Sequence, residues 1–326
     1  MGYRKILVTG ARGVLGAAVR RVHHEYAGAE FVFWTSKDCD LTDLRATEHQ
    51  VGLCRPDAIL HLAAVSGGIG LSMGHPATLL RDNTLMLFSV LEAARKHQVR
   101  KVVTTLTTGM YPVNAPLPLR EESIHEGYPH ASNYGSSFAK RLADPAIRAY
   151  REEYDLNVVG LIPSGIFGEE DNFHEEDASM VPTLIRRFYD QRSGDAPIVI
   201  WGDGTPLREY TYAPDLARIY LWALDHYDQA QVLNIGSAEE NSVADIAFLI
   251  ADLLSIPRSR LVFDRTKPAG IHRKSVDNSR FRKLSDFSYT PFREGLKRTM
   301  EWFCRTCETD PGLIQSRGKA RAGGRN

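Results

Sequence analysis

Seven residues near the start of the chain, Gly10-Ala11-Arg12-Gly13-Val14-Leu15-Gly16, set three glycines where a phosphate-binding turn needs them. Gly10 suits the tight turn, Gly13 lets a pyrophosphate approach the main chain, and Gly16 lets a helix pack closely on the preceding strand. Residues 3–9 (YRKILVT) read as that strand, and residues 14–26 as the helix. A helix starting there turns unpaired N–H groups and positive partial charge towards the phosphates. A nicotinamide dinucleotide is therefore the expected ligand. The second strand, residues 31–34, runs into Thr35-Ser36-Lys37 with no acid before Asp38. An NAD site holds its ribose hydroxyls with Asp or Glu at that place, whereas cations suit a 2′-phosphate. Arg12 and Lys37 thus point to NADP(H) rather than NAD(H).

The four cysteines offer less. Besides Cys39 and Cys54, Cys304 and Cys307 form a CxxC at a helix end, but no second ligand pair accompanies it, so the pair reads as surface or packing thiols and no metal is expected.

The elements that must position the glycine loop are legible as alternation. Strand-like runs at 57–62, 101–106 and 157–162 follow the first two, with a long helical stretch at 79–97. Strands alternating with helices predict an α/β fold, a Rossmann-type doubly wound parallel sheet covered on both faces. After Pro163 the chain turns Gly-rich and acidic, then shows a helix at 181–191, a strand at 197–201, a Gly-Asp-Gly turn and a helix at 216–224 capped by Asp215. These predict a smaller α/β domain interleaved with the first: residues 1–163 for the cofactor, 164–309 mainly for a substrate, and 310–326 as a disordered polar tail. The chain has 326 residues, 43% hydrophobic and 25% charged, enough for sizeable cores. Lys+Arg and Asp+Glu balance at 40 each, which argues against nucleic acid or an anionic membrane surface as partner. No stretch reads as a signal peptide or a membrane span, so a cytoplasmic location is expected.

Further motifs carry a resemblance. Ser36-Lys37-Asp38 with Asp40-Leu41-Thr42-Asp43, His61-Leu62-Ala63-Ala64 before Gly67-Gly68, Asp171-Asn172-Phe173, Val181-Pro182, Trp201-Gly202 through Arg208-Glu209, and Lys267-Pro268 with Gly270, Arg273 and Lys274 all stand in order. From about Lys5 to Phe303 the chain resembles the GDP-L-fucose synthase family of extended short-chain dehydrogenases. That resemblance implies a GDP-sugar, or another nucleotide-diphosphate sugar, bound by the C-terminal domain, and a homodimer built on helices 79–97 and 140–154. It adds Asp40, Leu41, Leu62, Ala63, Ala64, Lys140 and Pro163 to the cofactor site. It places Thr108, Gly109, Asn172, Ser179, Trp201, Arg208 and Lys274 at the substrate, with Arg208 and Lys274 on the diphosphate. Pro145, inside the second of those helices, is expected to bend it.

The family's catalytic motifs are altered. Its Ser-x-Cys reads Thr107-Thr108-Gly109, which keeps a hydroxyl and removes the thiol; its Tyr-x-x-x-Lys reads Ser136-Ser137-Phe138-Ala139-Lys140; its His two before Val-Pro is Ser179. Serine is a far weaker acid than phenol, and Gly109 and Ser179 cannot shuttle protons. Glu170 stands where the family has His, and Gly165 where it has Asn. The candidate catalytic set is Thr107, Lys140, Ser136 and Tyr134, with Tyr111, His130, Glu170 and His174 on loops expected to face the sugar. Three readings stand: an enzyme acting on a keto-deoxysugar through other groups, a binding paralogue without catalysis, and an epimerase-reductase with substituted residues.

Overall fold

The structure, a computed structural model, describes residues 2–174, 177–267 and 272–316. Pro268 and Gly270 lie outside them, as do residues 317–326. The strands are β1 (Lys5–Thr9), β2 (Glu30–Trp34), β3 (Ala58–His61), β4 (Lys101–Thr105), β5 (Val158–Ile162), β6 (Gly165–Phe167), β7 (Ile198–Trp201), β8 (Leu207–Tyr212), β9 (Leu233–Asn234), β10 (Glu240–Ser242) and β11 (Leu261–Asp264).

A six-stranded sheet runs in the order β2-β1-β3-β4-β5-β9, with every pairing parallel. It is the expected Rossmann-type sheet. Its central strands are apolar on both faces because both are covered. Ile6 and Val8 of β1 face a core with helices Val14–Val22 and Ala213–His226, while Leu7 between them joins a second core with helix Pro76–Lys96. Each such buried Ile, Leu or Val contributes about 1.5–3 kcal/mol over leaving it in water.

The remaining strands form a three-stranded sheet, β10-β8-β6, and a pair, β11-β7. Helices Met180–Asp190, Val243–Leu253 and Phe292–Thr309 close a third core over them. Cys304 and Cys307 are free thiols, half-buried against this core, and burial raises both. No helix among the described residues is long and apolar enough to cross a membrane.

Three expectations are corrected. The chain does not lose structure at 310: Pro311–Ser316 is helical, and Ile314 is buried in the third core. The helix expected through 140–154 is two, Tyr134–Arg141 and Ala143–Tyr154, meeting at Leu142. Pro145 lies in the first turn of the second, where a missing N–H costs nothing; the break falls where it has no hydrogen to give Arg141. Asp215 does not cap helix Ala213–His226 but accepts from the Thr290 N–H and hydroxyl at 2.6 and 3.0 Å, inside the fold.

Candidate active site

Strand order reverses between β1 and β3, and in open α/β sheets the crevice beyond such a switch point holds the ligand. The glycine loop sits there. Gly10 has φ 71°, and a Cβ on it would lie 2.6 Å from the Ala63 nitrogen. A Cβ on Gly16 would come within 2.4 Å of the Gly10 carbonyl oxygen. Gly13 donates to that same oxygen at 3.0 Å and opens helix Val14–Val22, whose first turn has no acid and no side-chain cap. Leu15 is core, so only its main chain can reach a phosphate, beside half-buried Val14. Leu62 and Ala63 are half-buried, Ala64 is exposed and Pro163 is buried at the ends of their strands.

Beyond β2 the nearest acid is spent locally. Asp38 accepts from the Thr35 N–H and hydroxyl, both at 2.7 Å, and those bonds hold its carboxyl below the usual range. Asp40 accepts from the Thr42 N–H and hydroxyl at 3.1 and 2.6 Å, over buried Leu41. Arg12 and Lys37 are exposed. The cradle fits a dinucleotide: open glycine main chain, a bare helix N-terminus, and exposed cations on the loops after β1 and β2.

At the end of β4, Thr107 caps the turn Thr108–Met110, its hydroxyl accepting from the Gly109 N–H at 3.2 Å. Lys140 donates to the Thr105 carbonyl at 2.9 Å, and burial lowers it to about 8. His61, buried and 3.0 Å from the Thr9 hydroxyl, is held neutral, pushed down to about 3 by burial and then by the Lys140 charge. Ser136 lies one turn before Lys140, roughly 40° round the helix, but its hydroxyl donates to the Asn133 carbonyl at 3.2 Å. Tyr134 projects about 120° away from Lys140 on that helix and is 46% exposed. The helix thus brings Ser136, not Tyr134, beside Lys140.

Gly109 is filled from outside. A Cβ there would meet the Asn133 amide nitrogen at 2.9 Å and the Ser137 hydroxyl at 3.3 Å. Asn133 is a site residue that the sequence reading missed; its one signal is its place three residues before Ser136.

A second group of cations lies on and beside the smaller sheet. Arg208 on β8 and Lys274 are neighbours: burial, then the Arg208 charge, lowers Lys274 to about 8, and burial lowers Arg208 as well. Asn241 pairs with Arg208 across β10 and β8, and its buried amide nitrogen has no hydrogen-bond partner among the described residues. Ser179 is exposed at the N-terminus of helix Met180–Asp190, and the Gly68 N–H donates to the Asp177 carbonyl at 2.7 Å, tying this segment to the loop after β3.

Other loop residues serve structure. Tyr111 is 3% exposed and donates to Asn234 at 2.8 Å; Glu170 pairs with Arg21 at 3.1 Å, against the Rossmann helix. His130 accepts from the Ser132 N–H at 3.2 Å and begins a turn. Asn172 bridges the His174 N–H (2.9 Å) and Asp177 (3.1 Å), so its amide shapes its own loop, while His174 stands 3.3 Å from Asp177. Trp201 ends β7, 56% exposed, with the Lys267 ammonium 5.9 Å from its ring.

A parallel Rossmann-type sheet with a glycine turn that fits a dinucleotide at its switch point is the fold of the extended short-chain dehydrogenases. The chain belongs to the NAD dependent epimerase/dehydratase family, whose model matches residues 6–236. It is 33% identical over 311 residues to GDP-L-fucose synthase of Dictyostelium discoideum, covering 94% of this chain and 97% of that protein. A crystal structure of a GDP-L-fucose synthetase from Naegleria fowleri bound to NADP is 32% identical, with TM-score 0.88 over 95% of this chain and 96% of that one. A GDP-6-OMe-4-keto-L-xylo-heptose reductase from C. jejuni shares the fold at 20% identity and TM-score 0.86.

Proposed function

We propose that this protein binds NADP(H) and a GDP-sugar and carries out a reduction, epimerisation or redox-neutral conversion of a keto-deoxysugar, without being a competent GDP-L-fucose synthase. Two observations support the reading: the glycine cradle at the switch point, and the neighbouring Arg208–Lys274 pair, in a chain that also sets the Lys140 ammonium and the Thr107 hydroxyl at the end of β4. A diphosphate between Arg208 and Lys274 would restore the stability that Lys274 loses to burial and to its neighbour. The names of the relatives supply the guanine base and the 2′-phosphate. The cofactor, when bound, would exchange a hydride with the sugar; Gly10, Gly13 and Gly16 would hold its pyrophosphate, Arg12 and Lys37 its ribose phosphate.

What this chain's residues do is more restricted. Lys140 places a positive charge in the crevice, and Thr107 offers a hydroxyl to a sugar oxygen. No tyrosine stands four residues before Lys140, no thiol at Gly109 and no imidazole at Ser179. General acid help is typically worth about 10²–10⁴-fold, so conversion of GDP-4-keto-6-deoxymannose to GDP-fucose should be slower by at least roughly that factor. Incubation with NADPH and the keto-sugar nucleotide, followed by chromatography, tests this. Fucose nucleotide at an ordinary enzymatic rate would sink the proposal; an altered sugar that is not fucose supports it.

A binding paralogue is the second reading, favoured by Ser136 spending its hydroxyl on the Asn133 carbonyl. Intact substrate from every GDP-sugar tried would select it. A cytoplasmic homodimer belongs to the same proposal, supported by Leu85 and Phe88 of helix Pro76–Lys96 and by Tyr154, which are exposed on neighbouring helices.

A further inference from the structure

The loss of side chain at Gly165 has a counterpart in space. Gly165 on β6 pairs directly with Tyr210 on β8, and a Cβ on Gly165 would lie 2.6 and 2.7 Å from two carbons of the Tyr210 ring. The ring therefore occupies volume that any larger residue at 165 would claim. Its hydroxyl lies towards the other altered position: the main chain of Met180, the residue after Ser179, is among the groups that act on it. Side chains alternate along a strand, so Tyr210 shares its sheet face with Arg208, and through Arg208 with Asn241 and Lys274. Arg208 and Asp171 both act on the phenol by charge.

Tyr210 is also not an ordinary core tyrosine. Tyr220 is fully buried, whereas Tyr210 remains partly accessible while strongly desolvated, its hydroxyl pushed up to about 12. Lys140 and Lys274 combine partial access and desolvation in the same way. That combination marks a group on the floor of an open cleft, shielded by protein on most sides and open on one. A phenol carries one O–H donor, which a ligand oxygen on the open side can accept.

We propose that Tyr210 is a substrate-contacting residue of the nucleotide-sugar cleft, donating its hydroxyl proton to an oxygen of the sugar next to the diphosphate held by Arg208 and Lys274. It fills the place left by the small residues Gly165 and Ser179 and selects for the sugar rather than for the nucleotide. The inference rests on the nucleotide-sugar reading given above.

Tyr210→Phe removes only the hydroxyl. Isothermal titration of the full chain with GDP-mannose, GDP and NADPH separates the outcomes. A lost hydrogen bond should weaken GDP-mannose about 3- to 10-fold while GDP and NADPH stay within about twofold. Unchanged GDP-mannose affinity would overturn the contact and leave the nucleotide-sugar reading standing. Equal loss for GDP would move the contact to the diphosphate, and loss of NADPH binding would make Tyr210 a packing residue; either overturns it. Wild-type protein that binds neither GDP nor GDP-mannose would overturn the reading and the contact together.

Discussion

The two regions proposed to hold the ligands are built from different material. The dinucleotide wall is main chain: three glycines, a bare helix N-terminus and strand ends, all within residues 9–16 and 61–64. The proposed sugar wall is side chain, with Arg208 and Tyr210 from β8 and Asn241, Lys274 and Ser179 each from another segment. A wall of main chain tolerates almost no change, because any side chain occupies space the turn or ligand needs. A wall of side chains can be altered one residue at a time without moving the sheet beneath. That is how a chain with Gly109, Ser136 and Ser179 can still superpose on a GDP-L-fucose synthetase with a TM-score of 0.88.

The sharpest way to break this contrast is Gly10→Val. Positive φ and a Cβ 2.6 Å from the Ala63 nitrogen should cost about 3 kcal/mol or more, seen as a large fall in melting temperature together with loss of NADPH binding. A variant that melts and binds normally would show that the turn is not fixed by its main chain. Arg208→Ala on the other wall should leave melting nearly unchanged while weakening GDP-sugar binding by about 1.5–3 kcal/mol in calorimetry. Unaltered affinity would mean that this wall does not grip a diphosphate.

A third test uses pH. Lys274 titrates near 8 in the free protein, so it is cationic below that value and neutral above it. A diphosphate favours the cation, so GDP affinity should be highest near pH 7 and fall by up to about tenfold as pH rises through 8 to 9.5. In Lys274→Arg the charge persists across that range, and the fall should flatten. An identical slope in both proteins would assign the titration elsewhere. The smallest effect belongs to the exposed cations: Arg12→Ala with Lys37→Ala should cut the preference for NADPH over NADH by about 1 kcal/mol, read from paired titrations. No change would return the selectivity to the loop itself.

How much of this was legible follows from what each wall is made of. The parallel sheet showed as apolar runs at β1, β3, β4 and β5, and the loop as spaced glycines, because both are short-range patterns. Helix Leu44–Cys54 gave no such signal: it buries only Thr47 and Val51, too few for a periodic stripe. β8 was read as part of a motif rather than as a strand, so the shared face of Arg208 and Tyr210 was invisible. Tyr111, His130 and Glu170 were expected at the sugar because loops carry function, but each is held by a partner: Asn234, Ser132 and Arg21 respectively.

By itself, the sequence determined the fold class, the glycine turn, the absence of an acid between β2 and Asp38, and the residue types Gly109, Ser136 and Ser179. Each is a property of residues adjacent in the chain or of one residue's type. Only the tertiary structure decided what lies around such positions. It put the Asn133 amide against Gly109, turned Tyr134 away from Lys140, and laid the Tyr210 ring over Gly165 with its hydroxyl towards Met180. Such vacancies are filled by neighbours in space 24 to 45 residues away along the chain (Asn133 for Gly109, Tyr210 for Gly165), and packing density demands a neighbour without specifying which.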